Sequence, residues 1–121
     1  MSASTTITKE IAKGIFLHKK QMQATGASDG TDAIYIFKIE VKSLQILDFT
    51  ADFTGSENLT LDGSPNLISH TTIQPMSTDT VALLKLQKNW KLKSRFKFTM
   101  RNPPKEVQQK HLMPSLITLN N

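Results

Sequence analysis

Apolar and polar residues alternate with a period of two along much of the chain, which predicts β-strands. The pattern is sharpest in residues 90–101. One side of that stretch is apolar and carries Trp90, Leu92, Phe96, Phe98 and Met100. The other side is cationic and carries Lys91, Lys93, Arg95, Lys97 and Arg101. A helix would spread these lysines around its whole circumference, so the pattern predicts one continuous strand with a core face and a basic face.

Two further segments alternate as clearly, residues 33–41 and 44–53. Their predicted inward side chains are Tyr35, Phe37, Ile39 and Val41 in the first segment, and Leu47, Phe49, Ala51 and Phe53 in the second. Their predicted outward side chains include Lys38, Glu40, Asp48, Thr50 and Asp52. Only a few residues around 42–43 separate the segments, so the sequence favours pairing them as a hairpin.

The remaining apolar segments are short. Strands are predicted at about 14–23, 59–61, 67–73 and 80–88, the last of them apolar on both faces and therefore buried on both sides. Turns are predicted at 24–32, 55–58, 62–66 and 88–89, and Pro75 marks a strand end or a linker between sheets. Seven or eight short strands with turns every 8–12 residues predict an antiparallel β-sandwich, with a closed barrel as the alternative.

The two ends of the chain lack this pattern. Residues 1–9 are mostly small or hydroxylated and are predicted to form a flexible arm. Ile7, Ile11 and Ile15 are spaced by four, which is also compatible with a helical turn before the strand at 14. The sandwich is predicted to span residues 10–104, followed by a C-terminal tail at 105–121.

Composition excludes several classes of chemistry. The 121 residues contain no cysteine, which rules out disulfides, thiolate catalysis and cysteine-ligated zinc. No apolar run approaches the roughly 20 residues that a membrane-spanning helix needs. The first residues do not resemble a signal peptide, so we expect a cytoplasmic protein.

The net charge of +5 is unevenly distributed. Residues 1–60 contain 6 Lys and Arg against 7 Asp and Glu, whereas residues 61–121 contain 9 against 3. This asymmetry predicts an acidic partner surface bound through the basic face of residues 90–101. The alternative is that the lysines only keep a strand face solvated and block edge-to-edge pairing.

No catalytic or cofactor motif is present. His18, His70 and His111 lie far apart in sequence, and Asp29 and Asp32 do not follow the spacing of an EF-hand loop. The chain also lacks a nucleophile elbow, a zinc-protease motif and a phosphate-binding glycine loop. We therefore expect a protein that is not an enzyme and that carries no metal and no cofactor.

Residues 52–58, Asp-Phe-Thr-Gly-Ser-Glu-Asn, precede a strand that begins near Pro75 and a strand that opens at Trp90. Over residues 10–104 this order resembles the calpain-type β-sandwich modules of protozoan calpain-related proteins. The resemblance implies a module without the protease core, associated with membranes, cilia, flagella or the subpellicular cytoskeleton. Tubulin is one partner of that kind. Some family members are acylated at the N-terminus, but this chain has Ser2 where myristoylation needs glycine.

Two binding functions follow as hypotheses. The first is docking of the basic face onto an acidic cytoskeletal or ciliary protein. The second is calcium-independent binding to anionic phospholipid, to which each nearby lysine or arginine contributes about 1 kcal/mol. Nucleic acid is disfavoured because the aromatic residues of 90–101 alternate inward and leave no exposed stacking platform.

Overall fold

The computed structural model describes residues 4–23 and 32–103, and all the regular secondary structure in them is β. The eight strands are β1 (Ser4–Ala12), β2 (Ile15–Gln23), β3 (Ala33–Val41), β4 (Ile46–Asp52), β5 (Glu57–Leu61), β6 (Ile68–Ile73), β7 (Ser77–Lys91) and β8 (Arg95–Arg101). The predicted all-β fold of about seven to eight strands is confirmed. Residues 24–31 of the predicted loop at 24–32, including Asp29, and the tail at 105–121, including His111, lie outside the described residues.

The strands form two antiparallel sheets packed as a sandwich. The five-stranded sheet has the order β1-β2-β3-β7-β5, and the three-stranded sheet has the order β6-β4-β8. The first three strands form a meander, whereas every connection after β3 passes from one sheet to the other. This topology places β8, the most basic strand, at an edge of the smaller sheet.

The core lies between the inner faces of β3 and β7 on one side and β4 on the other. The predicted inward residues of β3 and β4 are all buried, including Phe37, Phe49 and Phe53. None of the buried side chains in the described part of the chain is polar or charged. Pro75 connects β6 to β7 between the two sheets, as predicted.

The predicted flexible arm is wrong for residues 4–9, which belong to β1. This strand pairs with β2 from Ser4 opposite Met22 to Ala12 opposite Ile15. Gly14, with φ +78°, makes the turn between them. An edge strand on a five-stranded sheet buries little surface, so β1 does not need the apolar alternation that reveals inner strands.

The predicted hairpin of residues 33–41 and 44–53 is also wrong, because β3 and β4 lie in different sheets. The Lys42 N–H donates to the Gly14 carbonyl, and the Met76 N–H donates to the Ser43 carbonyl. These bonds hold the connection as the chain passes between sheets. Both edges of β3 are already occupied, by β2 and β7. The two apolar faces therefore meet across the core instead of lying side by side.

The single strand predicted at 90–101 is two strands in two sheets. β7 continues through the predicted turn at 88–89 and ends at Lys91, and β8 begins at Arg95. Leu92, in the connection, packs against the core together with Trp90 and Phe96. Inward residues therefore keep the same parity on both sides of the break, which is why the sequence pattern does not reveal it. Met100, predicted inward, is 39% exposed near the end of β8.

Candidate docking surface

The segment between β4 and β5 fixes the place where the chain crosses from β7 to β8. Ser56 Oγ accepts a hydrogen bond from the Lys93 N–H at 2.8 Å and donates to the Lys93 carbonyl at 3.1 Å. Gly55 has φ +94°, and a Cβ built there would lie 3.2 Å from Cδ of Lys93. Gly55 thus adopts the left-handed backbone conformation and leaves room for the Lys93 side chain, and Ser56 bonds the Lys93 backbone.

The first residues of β5 hold the end of β7. Asn58 has φ +58° and donates its side-chain amide to the Asn89 carbonyl at 3.0 Å. Asn89 itself has φ +65°, and the β5–β7 register shifts between Glu57 and Leu59. The predicted turn at 88–89 is therefore a local distortion inside β7. Residues 52–58, which suggested a family resemblance, act here as a clamp on residues 89–93.

The five predicted partner-binding residues do not share one strand face, which corrects the sequence interpretation. Lys91 is at the end of β7, opposite Glu57 of β5, and Lys93 lies in the crossover over Gly55. The three remaining cations lie on β8, namely Arg95, Lys97 and Arg101. All five are exposed. They form a basic path along the crossover and β8, which we call the β8 basic path.

Carboxylates of β4 lie beside the β8 basic path on the outer face of the three-stranded sheet. Asp52 is in register with Arg95, Thr50 with Lys97, and Asp48 with Thr99. Arg101 Nε donates to Asp48 Oδ2 at 2.9 Å. The predicted outward direction of Asp48, Thr50 and Asp52 agrees with this register, and the sheet face carries both signs of charge.

These contacts shift the titration of both aspartates. Hydrogen bonds from Arg101 and then Thr72 lower the pKa of Asp48 below its ordinary value of 3.8. Hydrogen bonds from the Thr54 side chain and backbone N–H lower the pKa of Asp52, with further help from the charges of Arg95 and Lys97. Both carboxylates are therefore ionised at neutral pH, and they partly neutralise the cations beside them.

An open depression of about 650 Å³ lies on this outer face. Its lining combines the cations Arg95 and Lys97 with the carboxylate Asp52 of β4 and with Ile68 and His70 of β6. Ile68 is 46% exposed, so the depression offers an apolar contact next to charges of both signs. Thr50 bonds His70 Nδ1 at 2.9 Å, which fixes the imidazole at the side of the depression.

A second basic surface, which sequence reasoning missed, covers the outer face of the five-stranded sheet. Ile34 and Ile36 of β3 lie there half-buried, and Leu83 of β7 is in register with Ile36. Three exposed lysines surround them: Lys20 is in register with Ile36, Lys85 is in register with Ile34, and Lys38 lies two residues beyond Ile36 on β3. The sequence contained a signal for this surface, because Ile34 and Ile36 are apolar although they fall on the face of residues 33–41 that was predicted to point outward. We call these residues the outer lysine patch.

His18 joins three neighbouring strands on that same outer face. Its Nδ1 is 2.9 Å from Thr8 Oγ1 of β1, and its Nε2 donates to Glu40 Oε1 of β3 at 3.1 Å. Both ring nitrogens of His18 therefore have a hydrogen-bond partner. The network ties the edge strand β1 to the centre of the sheet.

Within residues 4–23 and 32–103, no group of three or more His, Asp or Glu side chains is arranged to hold a metal ion. None of the described segments forms an apolar helix of membrane-spanning length. Comparison with family models, curated proteins and solved structures found no match to this chain. The calpain-type resemblance therefore stays a prediction.

Proposed function

We propose that this chain is a non-catalytic protein-interaction module that docks onto an acidic protein surface through the β8 basic path. The observation that carries the proposal is the continuous run of five exposed cations from the end of β7 to the end of β8. Several cations on a firmly held strand attract an acidic surface at long range and speed its encounter.

The local geometry supports an approach from the free side of β8. Within the described residues β8 pairs with β4 alone, so its other side is open. Asp48 and Asp52 lie on the inner neighbour β4, away from that side. An acidic partner approaching the β8 edge meets the cations before it meets the carboxylates of β4. Ile68 and His70 lie on β6, on the far side of β4, so they contact only a partner that extends across the whole outer face.

We propose a cytoskeletal or ciliary protein, such as tubulin, as the partner in a cytoplasmic setting. This finer assignment rests on the resemblance of residues 52–58 and of the order of strands to calpain-type modules.

Two charge variants of equal size test the docking surface. The first changes Lys91, Arg95 and Lys97 to Gln, and the second changes Lys20, Lys38 and Lys85 of the outer lysine patch to Gln. Arg101 is left intact because its removal would take away the partner of Asp48. We expect capture of taxol-stabilised microtubules to weaken severalfold in the first variant and with added salt, since screening acts over about 8 Å at physiological ionic strength. Equal capture of microtubules by both variants would exclude the β8 basic path as the docking surface.

Binding to anionic phospholipid is the second candidate, and the outer lysine patch favours it. Lysines around half-buried Ile34, Ile36 and Leu83 combine positive charge with apolar surface, the combination that attracts a protein to an anionic bilayer. The same two variants separate the candidates. Co-sedimentation with phosphatidylserine vesicles should fall for the Lys20, Lys38 and Lys85 variant alone, and neutral vesicles should bind neither. Equal binding to both vesicle types would exclude this function.

A further inference from the structure

Four strand edges are open in the described part of the chain, and they differ in how they are protected. β8 carries three exposed cations, and β5 is five residues long with a register shift. β6 has six residues and is followed by Pro75. Charges, short length, bulges and proline are the usual devices that block edge-to-edge pairing. Each of these three edges therefore has a feature that limits the addition of another strand.

β1 has such protection only in its last four residues. It runs for nine residues and contains no proline, and its charged residues Lys9 and Glu10 and its register shift are confined to residues 9–12. Its central residues Thr5, Thr6, Ile7 and Thr8 are all β-branched, and such residues favour strands. Ile7 is 59% exposed in the middle of the strand. The Thr8–His18–Glu40 network holds β1 to the sheet, so its outer row of N–H and C=O groups is presented in an ordered strand.

We infer that β1 is a homodimerisation edge, which pairs antiparallel with β1 of a second copy about a two-fold axis at Ile7. This pairing joins the two five-stranded sheets into one continuous ten-stranded sheet.

The occupant is a second copy because the β1 sequence is self-complementary in this register. Ile7 lies opposite Ile7, and Thr6 lies opposite Thr8. The charged residues Lys9 and Glu10 lie opposite Thr5 and Ser4, so no like charges face each other. Apolar β-branched pairs across strands stabilise a sheet, whereas directly opposed like charges destabilise it. Such an interface is isologous, and its two-fold symmetry limits the assembly to a dimer.

Cysteine cross-linking tests the register directly, since the natural chain has no cysteine. Directly opposed residues of an antiparallel pair have Cα atoms about 4.5–5.5 Å apart, within the range that a disulfide spans. Met76 is also 59% exposed and provides the matched control. We expect Ile7→Cys to form a disulfide-linked dimer under mild oxidation at low protein concentration, and Met76→Cys to form no disulfide-linked dimer. Equal cross-linking of both variants would overturn the inference.

Sedimentation velocity tests the association without cross-linking. We expect a dimer fraction that rises with concentration, is lost in Ile7→Lys, and persists in Met76→Lys. It should also persist when Lys91, Arg95 and Lys97 are changed to Gln, so failure of the proposed docking function would not affect this result. The β1 dimer is excluded if the natural chain stays monomeric over the whole concentration range. It is also excluded if the natural chain dimerises and Ile7→Lys dimerises equally well.

Discussion

Ser56 and Lys93, which are 37 positions apart in the sequence, are joined by two hydrogen bonds through one hydroxyl group. The hydroxyl satisfies the N–H and the C=O of a residue that lies between two sheets and belongs to neither. Backbone groups in such a crossover have no ladder partner, and here the Ser56 side chain bonds them instead. The bond pair therefore fixes where β7 ends and the β8 basic path begins.

Removing the hydroxyl should loosen the crossover. We expect Ser56→Ala to lower the free energy of unfolding by about 1–2 kcal/mol, because a typical hydrogen bond contributes about 0.5–1.5 kcal/mol. Urea denaturation measures the change. Ser94→Ala, an exposed serine one residue beyond Lys93, is the control and should stay within about 0.5 kcal/mol of the natural chain. An equal loss in both variants would contradict the role assigned to Ser56.

The ring of Phe96 connects β8 to both sheets. Its centroid lies 5.6 Å from Phe37, 5.5 Å from Phe49 and 6.2 Å from Phe53. We expect Phe96→Ala to lower the free energy of unfolding by about 3 kcal/mol. This is the lower end of the range for a core phenylalanine, because the ring is half-buried. Lys97→Ala should cost less than about 0.5 kcal/mol, since its side chain is exposed. Thermal melts compare the two, and the reverse order would mean that the faces of β8 are exchanged.

Acid should destabilise the domain through Asp48 and Asp52. Both have a pKa in the folded protein below the ordinary 3.8. At pH values between the folded-state pKa and the ordinary pKa of 3.8, the unfolded chain binds more protons than the folded chain. The free energy of unfolding therefore rises with pH in this range. The contribution is complete above about pH 4 and disappears as pH falls through the lower folded-state pKa. Urea denaturation at pH 2 to 6 should show that Asp48→Asn loses less of its free energy of unfolding in acid than the natural chain does. If both proteins show the same dependence of this free energy on pH, Asp48 does not contribute.

The tight turn after β5 should be sensitive to the residue at Gly63. Asp62 and Gly63 both have positive φ, and the backbones of Leu61 and Ser64 bond each other in both directions. No atom lies within 4 Å of a Cβ built at Gly63, so any penalty is conformational. We expect Gly63→Ala to cost about 1 kcal/mol and Gly63→Asn to cost less, because Asn tolerates the left-handed region. Urea denaturation measures the free energy of unfolding of each variant. An equal decrease in both variants would contradict a conformational origin of the penalty.

Prediction from the sequence succeeded where one strand face is buried. The inward sets of β3 and β4, the turn at 62–66 and the position of Pro75 all follow from alternation and turn chemistry. It failed for β1, whose threonines neither alternate with apolar residues nor enter the core. The candidate site was predicted as one strand face, but the chain changes sheets at Leu92. No local pattern records that change, because residues on both sides contact the same core.

The sequence by itself determined the inward-facing sets of residues 33–41 and 47–53, because a period-two pattern expresses the burial of one strand face regardless of which strand lies next to it. Only the tertiary structure decided how strands pair, since β3 beside β4 and β3 facing β4 bury the same apolar side chains. It also decided how the charges combine. Asp48 is paired with Arg101, 53 positions away, and Lys91 is separated from Arg95 by a change of sheet. Electrostatics depends on distance in space, which the order of residues along the chain does not set.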